Sequence, residues 1–134
     1  MPAGTRTPPK LYMSSPTLSI RAFIGAKDFA VSRSFYRAFG FTETVLSPVM
    51  SYFGRQGVGF YLQDAYVKDW IDNTMLFLEV EDVERYWPEL EALDLPGQYA
   101  GVKVTGIRHE PWGKEGFLHD PSGVLWHIGE FRKE

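Results

Sequence analysis

The sequence contains no cysteine among its 134 residues. Disulfide bonds, thiolate nucleophiles and cysteine-ligated metals are therefore excluded. No apolar run is long enough to span a membrane, and residues 1–10 lack the apolar segment of a signal peptide. The formal net charge of −3, without any basic stripe, argues against nucleic acid as a partner. We therefore expect a soluble, cytoplasmic protein.

Aromatic residues, by contrast, are abundant and make up 16% of the sequence. A content this high indicates a bulky core, an aromatic-lined pocket, or both. The length suits one domain with a full hydrophobic core. Residues 1–17 are rich in proline, serine and threonine. This composition predicts a flexible N-terminal arm, followed by a single domain over residues 18–134.

A strong local signal is the turn sequence Asp-Pro-Ser-Gly at residues 120–123, between two extended apolar runs. Aspartate first, proline second and glycine fourth is a preferred order for a β-turn, so the runs predict a hairpin. A one-for-one ladder across this turn places His127 opposite Gly116 and on the side of Leu118. On the same register, His119 points the other way. His127 is then expected on an inward sheet face.

Two segments each combine an apolar strand, an aspartate and an amphipathic helix, which indicates a degenerate internal repeat. In the first, a strand over 18–25 precedes Asp28, a good residue for the start of a helix. In the second, a strand over 74–80 precedes Asp82, and the helix that follows contains Pro88, which predicts a kink. Three further strands are predicted in each half, at 41–46, 50–54 and 58–63 and then at 102–109, 114–119 and 124–130.

This order of elements is βαβββ repeated twice, over about residues 18–63 and 74–130. It predicts the α+β class. The segment between the modules, at 65–73, is expected to be a connector with at most one helical turn.

Three segments, KDFAVSRSFYRAFGF, VEDVERYW and HDPSGVLWHI, resemble the vicinal oxygen chelate superfamily in their order and spacing. That superfamily contains lactoylglutathione lyases, extradiol dioxygenases, fosfomycin-resistance thiol transferases and bleomycin-resistance proteins. The likeness covers about residues 18–130. It implies that the two modules form a cup-shaped mixed sheet around a ligand cavity, with the helices outside and usually in a dimer.

The resemblance also implies where the enzymes of the superfamily hold a divalent metal. The corresponding residues here are Arg21, Tyr61, Met75 and His127. A catalytic zinc or iron site needs about three imidazole or carboxylate ligands, and an arginine cation repels a metal ion. We therefore expect no metal and no other cofactor, which makes the bleomycin-resistance proteins the nearest members.

Arg21 is the most informative of these residues, because a buried guanidinium is costly unless it is paired. It binds an anionic or polar ligand group, or it forms a salt bridge with Glu79 or Glu130. His127 contacts the ligand, or it is merely hydrogen-bonded inside a partly apolar pocket. The predicted ligand-binding residues are Arg21, Phe23, Tyr52, Phe60, Tyr61, Trp70, Met75, Phe77, Trp112 and His127.

These features predict a metal-free homodimer that sequesters a small aromatic or amphipathic molecule without transforming it. Two enzyme alternatives stay open. One is a metal-dependent lyase, isomerase or dioxygenase that uses His127 with Glu79 or Glu130. The other is a metal-free enzyme with His127 as general base and Arg21 as electrostatic stabiliser. In both alternatives His127 is the catalytic residue.

Overall fold

The computed structural model describes residues 14–133. Within this range, all eight predicted strands and both long helices occur in the predicted order. The elements are β1 (Phe23–Gly25), α1 (Phe29–Phe39), β2 (Thr42–Ser47), β3 (Met50–Arg55), β4 (Val58–Gln63), α2 (Lys68–Asp72), β5 (Met75–Glu79), α3 (Val83–Ala92), α4 (Leu95–Gln98), β6 (Lys103–Glu110), β7 (Gly113–His119) and β8 (Leu125–Phe131).

The strands form two four-stranded mixed sheets with the same internal arrangement. The first sheet has the order β1-β4-β3-β2 and the second has the order β5-β8-β7-β6. In each, the first and last strands of the module pair in parallel and the other pairs are antiparallel. This arrangement confirms the α+β class and the two βαβββ modules. The sheets are separate, and neither is closed.

The helices begin where the two aspartates predict. The carboxylates of Asp28 and Asp82 each accept the backbone N–H three residues later at 3.1 Å, which satisfies a donor at the start of α1 and of α3. Helix α1 ends at Gly40, whose φ of 115° is left-handed and suits glycine. Helix α3 continues through Pro88. Among the described helices, none combines the length and the apolar character needed to cross a membrane.

Two short helices complete the set. The connector between the modules contains the expected single turn, α2. Helix α4 was not predicted, because its four residues are too few to produce a helical periodicity. Its Leu95 is fully buried and anchors the turn to the core.

The two modules meet in a buried hydrogen-bond network. The hydroxyl of Tyr36 in α1 donates to the Asp120 carboxylate at 2.6 Å, and the indole N–H of Trp126 donates to the Tyr36 oxygen at 2.9 Å. The second oxygen of Asp120 accepts the backbone N–H groups of residues 122–124 at 2.8–2.9 Å. Burial raises the pKa of Asp120, although these hydrogen bonds oppose the rise. Burial, reinforced by the charge of Asp120, also raises the pKa of Tyr36.

A second polar cluster joins α1 to the first sheet. The Glu43 carboxylate accepts hydrogen bonds from the guanidinium groups of Arg33 and Arg37 and from the Ser51 hydroxyl, each at 2.6 Å. Burial by itself raises the pKa of Glu43, but these hydrogen bonds outweigh it, and the pKa lies below its usual value. The cluster therefore stabilises the ionised carboxylate.

The C-terminal hairpin forms, but its register differs by one residue from the predicted one. His127 lies opposite Phe117 rather than Gly116. The loop is the cause: the backbone N–H of Asp120 donates to the carbonyl of Val124 at 2.9 Å, so the loop contains an odd number of residues. A one-residue change in register moves each side chain of one strand to a new partner.

Two predictions of side-chain direction are wrong for the same reason. Leu118 lies opposite Trp126 and is fully buried in the core, rather than on the side of His127. His119 lies opposite Leu125, which places it on the same side of the sheet as His127.

The first strand is shorter than residues 18–25. Parallel pairing with β4 covers only β1, and Leu18 and Ile20 are 92% and 98% exposed. Residues 14–17 of the predicted arm are exposed and contain no helix or strand, and residues 1–13 lie outside the described range.

The register is irregular on one outer strand of each sheet. In β2 the pairing with β3 shifts between Val45 and Ser47. In β6 the pairing with β7 shifts between Thr105 and Arg108. These strands occupy equivalent positions in the two modules.

Candidate functional site

Four predicted ligand-binding residues form a cluster on the first sheet, on the side opposite α1. This arginine cluster consists of Arg21, Phe23, Tyr52 and Tyr61. The guanidinium carbon of Arg21 lies 4.3 Å from the centre of the Tyr52 ring, and its Nη1 donates to the Tyr61 hydroxyl at 3.1 Å. The Phe23 ring stacks on Tyr61 at 4.6 Å. A cation thus lies on an aromatic surface, which is a favourable arrangement.

Glycines beneath Tyr52 allow this arrangement. A Cβ atom at Gly54 would lie 2.8 Å from the Tyr52 ring, and one at Gly59 would collide with the Tyr52 hydroxyl. The tyrosine ring therefore lies flat across two glycines and presents its face to Arg21.

The predicted partners of Arg21 are elsewhere. Glu130 accepts the backbone N–H of Val83 at 2.9 Å, at the start of α3. Within residues 14–133, neither Glu79 nor any other carboxylate forms an ion pair with Arg21. Arg21 precedes β1 and is exposed, so the expectation of a buried guanidinium is wrong. The guanidinium therefore keeps donor groups that face solvent.

A second cluster lies on the second sheet, on the side opposite its buried core. This histidine cluster consists of Met75, Phe77, Trp112, His127 and Phe131. The centre of the Phe77 ring lies 5.9 Å from that of Trp112 and 5.4 Å from that of Phe131. The ring also stacks on the His127 imidazole, with 6.1 Å between the ring centres. All except His127 are at least 36% exposed. The cluster is an uncovered aromatic patch around an imidazole.

Glu115 is the principal residue of this region that the sequence prediction missed. Its carboxylate lies 2.9 Å from His127 Nδ1, and the residue is only 8% exposed. A Cβ atom at Gly129 would lie 2.9 Å from the Glu115 Cβ, so this glycine makes room for it. The correct hairpin register would have revealed the pair, because it places Glu115 and His127 on the same side of the sheet.

Two of the predicted ligand-binding residues belong to neither cluster. Phe60 is 2% exposed and packs in the core, 4.9 Å from Tyr36. Trp70 lies on α2 and is 71% exposed. The other eight divide into the two clusters. No hydrogen bond or ring contact between described residues joins one cluster to the other.

The residues at the metal-binding positions do not fit a metal. Arg21 and Tyr61 form one pair on the first sheet, and Met75 and His127 form another on the second, with His127 Nε2 3.4 Å from the thioether sulfur. In the part of the chain that the structure describes, no three histidine or acidic side chains converge. Together the four positions offer one imidazole, one thioether, one phenol and a cation.

Solved structures with a similar fold include both binding proteins and an enzyme. A bleomycin-binding protein complexed with bleomycin has a TM-score of 0.73 at 15% sequence identity, over 87% of this chain and 100% of that one. The bleomycin-binding protein from bleomycin-producing Streptomyces verticillus, complexed with copper(II)-bleomycin, has a TM-score of 0.74 at 20% identity, over 88% and 99%. Lactoylglutathione lyase from Agrobacterium tumefaciens has a TM-score of 0.64 at 20% identity, over 87% and 96%.

These likenesses show that the chain has the vicinal oxygen chelate fold, as its motifs predict. A scan against protein-family models gives no match, and neither does a search of curated protein sequences. Because the same fold hosts binding proteins and enzymes, the function has to be argued from the site.

Proposed function

We propose that the protein binds a small aromatic or amphipathic molecule with an anionic or carbonyl group, and sequesters it without transforming it. The observation that carries this proposal is the environment of Arg21. Its guanidinium is held by two tyrosines and has no acidic partner among the described residues. The cation is therefore oriented and still able to bind an anion. Structural neighbours that bind antibiotics support a small-molecule ligand.

An aromatic sulfonate tests this proposal without knowledge of the natural ligand. We expect 1-anilinonaphthalene-8-sulfonate to bind, and the Arg21→Met variant to bind it about 10- to 100-fold more weakly, the worth of a charged hydrogen bond. The uncharged analogue N-phenyl-1-naphthylamine should lose little affinity. Calorimetric titration gives both affinities.

The matched control is Arg85→Met, which removes an exposed arginine from α3, away from both clusters. Equal loss of sulfonate binding in both variants would mean that net charge alone is responsible. Unchanged sulfonate binding in Arg21→Met would remove Arg21 from the site.

The proposed binding unit is a homodimer in which the arginine cluster of one chain faces the histidine cluster of the second copy. Each cluster leaves large apolar side chains uncovered: Phe23 is 56% exposed, Met75 63% and Phe131 51%. Contiguous apolar patches of this kind commonly mark interaction surfaces. Facing each other, the two clusters would enclose a cavity that a single chain leaves open.

Sedimentation analysis tests the dimer. We expect a dimer at tens of micromolar and a monomer for Phe77→Glu, because the new charge would be buried in the interface. Val31→Glu, at an exposed position on α1, is the control and should stay dimeric. A monomeric wild-type protein, or two variants that behave alike, would contradict this assembly.

A metal-free enzyme is the second candidate, and the contact between Glu115 and His127 favours it. A histidine oriented by a carboxylate is a common general base. Turnover that is lost in His127→Ala while sulfonate binding persists would identify catalysis. The metal-dependent alternative has no support from the residues at the metal-binding positions.

A further inference from the structure

Four side chains fix the position of the His127 imidazole. A Glu115 carboxylate oxygen lies 2.9 Å from Nδ1. Phe77 stacks on one face of the imidazole and Phe117 packs edge-on against it, with ring centres 6.1 Å and 5.1 Å away. Met75 lies beside Nε2 at 3.4 Å. The ring is thus held by buried Glu115, partly buried Phe117 and exposed Phe77, and its remaining nitrogen faces an exposed methionine.

The partner at Nδ1 determines where the imidazole hydrogen lies. An ionised carboxylate can only accept hydrogen bonds, so Nδ1 carries the hydrogen when Glu115 is charged. In the neutral imidazole Nε2 then has a free lone pair. A thioether sulfur can only accept, so the 3.4 Å contact with Met75 is a hydrogen bond only when Nε2 carries a hydrogen. In the neutral imidazole with its hydrogen on Nδ1, Met75 leaves the Nε2 lone pair unsatisfied.

We infer that Glu115 is a positioning residue that holds the hydrogen of the neutral His127 imidazole on Nδ1, so that Nε2 is the acceptor for an O–H or N–H group of the bound molecule. This inference rests on the proposed function and narrows the ligand class to hydroxyl- or amino-substituted aromatic molecules. Met75 is 63% exposed and unbranched, so its side chain can move aside when such a group enters.

The placement of Glu115 supports a role beyond packing. A carboxylate that is almost fully buried costs free energy unless it has a partner, and an apolar residue would fill the same space more cheaply. Gly129 leaves the neighbouring position on β8 without a side chain, which admits the carboxylate beside the imidazole. The chain thus keeps a buried carboxylate beside His127 where an apolar side chain would pack at lower cost. This is typical of sites in which a carboxylate orients a functional group.

The first experiment measures the tautomer directly in the ligand-free protein. We expect the ¹⁵N shifts of His127, at a pH where the imidazole is neutral, to show a protonated Nδ1 and an unprotonated Nε2. Glu115→Leu should move the hydrogen largely to Nε2, the preference of a free imidazole. Glu115→Gln keeps an acceptor oxygen and should partly retain the wild-type tautomer. A wild-type imidazole protonated at Nε2, or a leucine variant with the wild-type tautomer, would overturn the inference.

The second experiment tests the acceptor with two probes, 2-naphthol and 2-methoxynaphthalene, in which a methyl group replaces the hydroxyl hydrogen. We expect wild-type protein to prefer the naphthol roughly tenfold, the worth of one hydrogen bond, and Glu115→Leu to lose that preference. Lys103→Leu, at an exposed position on β6, should keep it. Equal binding of both probes by the wild type would refute the acceptor role while leaving the proposed function intact. If neither probe binds while the aromatic sulfonate does, the inferred ligand class fails and the proposed function stands.

Discussion

The strongest test of the fold concerns the Tyr36 hydroxyl, which lies where the two modules meet. The Tyr36→Phe variant removes one oxygen and keeps the buried ring. That oxygen donates to the Asp120 carboxylate at 2.6 Å and accepts from the Trp126 indole at 2.9 Å. The substitution therefore affects two hydrogen bonds without creating a large cavity.

The expected cost follows from those two contacts. A hydrogen bond to a charged group contributes about 1.5–3 kcal/mol, and a buried donor left without a partner costs about 1–3 kcal/mol. Because Asp120 keeps its three backbone donors, we expect Tyr36→Phe to lower the free energy of unfolding by about 3–5 kcal/mol in total. This is a large part of the roughly 5–15 kcal/mol that stabilises a typical domain.

Equilibrium unfolding in urea, followed by tryptophan fluorescence, measures the loss. The matched control is Tyr99→Phe, whose hydroxyl lies 2.7 Å from the Ser34 hydroxyl in a partly buried, uncharged contact. It should cost only about 0.5–1.5 kcal/mol. A Tyr36→Phe variant no less stable than Tyr99→Phe would show that the network does not hold the modules together.

Two further predictions concern Glu43 and the glycines under Tyr52. The pKa of Glu43 is lowered from its ordinary value of 4.5, so its ionised form stabilises the protein above that pH, and the contribution is lost as the pH falls through the folded pKa. Glu43→Gln should therefore cost about 1–3 kcal/mol at neutral pH and progressively less as the pH falls below the ordinary value in urea titrations, and a constant difference would contradict this. Gly59→Ala should displace Tyr52 and weaken binding of the aromatic sulfonate, whereas Gly106→Ala, which has open space around its Cβ, should leave it unchanged.

The parts of the fold that local chemistry controls could be predicted from the sequence. Asp28 and Asp82 cap their helices because a carboxylate beside free N–H groups needs no tertiary context. The order of strands and helices likewise follows from apolar patterns and turn residues. The predicted strand over 18–25 is longer than the observed β1, because an alternating pattern does not show how far the neighbouring strand extends to pair with it.

The site could be predicted only in part, because it depends on the register and on contacts between distant segments. The position of His127 on an uncovered sheet face follows from alternation along β8. To predict its contact with Glu115, one must know the length of the Asp120 loop. Side-chain hydrogen bonds set that length, and a turn motif does not specify them. Phe60 illustrates a further difficulty, since an aromatic residue on a strand has the same pattern in a core as in a cavity.

The shifts of register in β2 and β6 have a consequence for how the protein associates with itself. An exposed outer strand with unpaired backbone groups is a template for edge-to-edge sheet extension and aggregation. A bulge twists such a strand and interrupts its row of donors and acceptors. Because both modules carry this irregularity on equivalent outer strands, continuous cross-β stacking through those strands is disfavoured. The proposed dimer instead uses the uncovered sheet faces, and such a contact forms a closed pair and not an open-ended fibre.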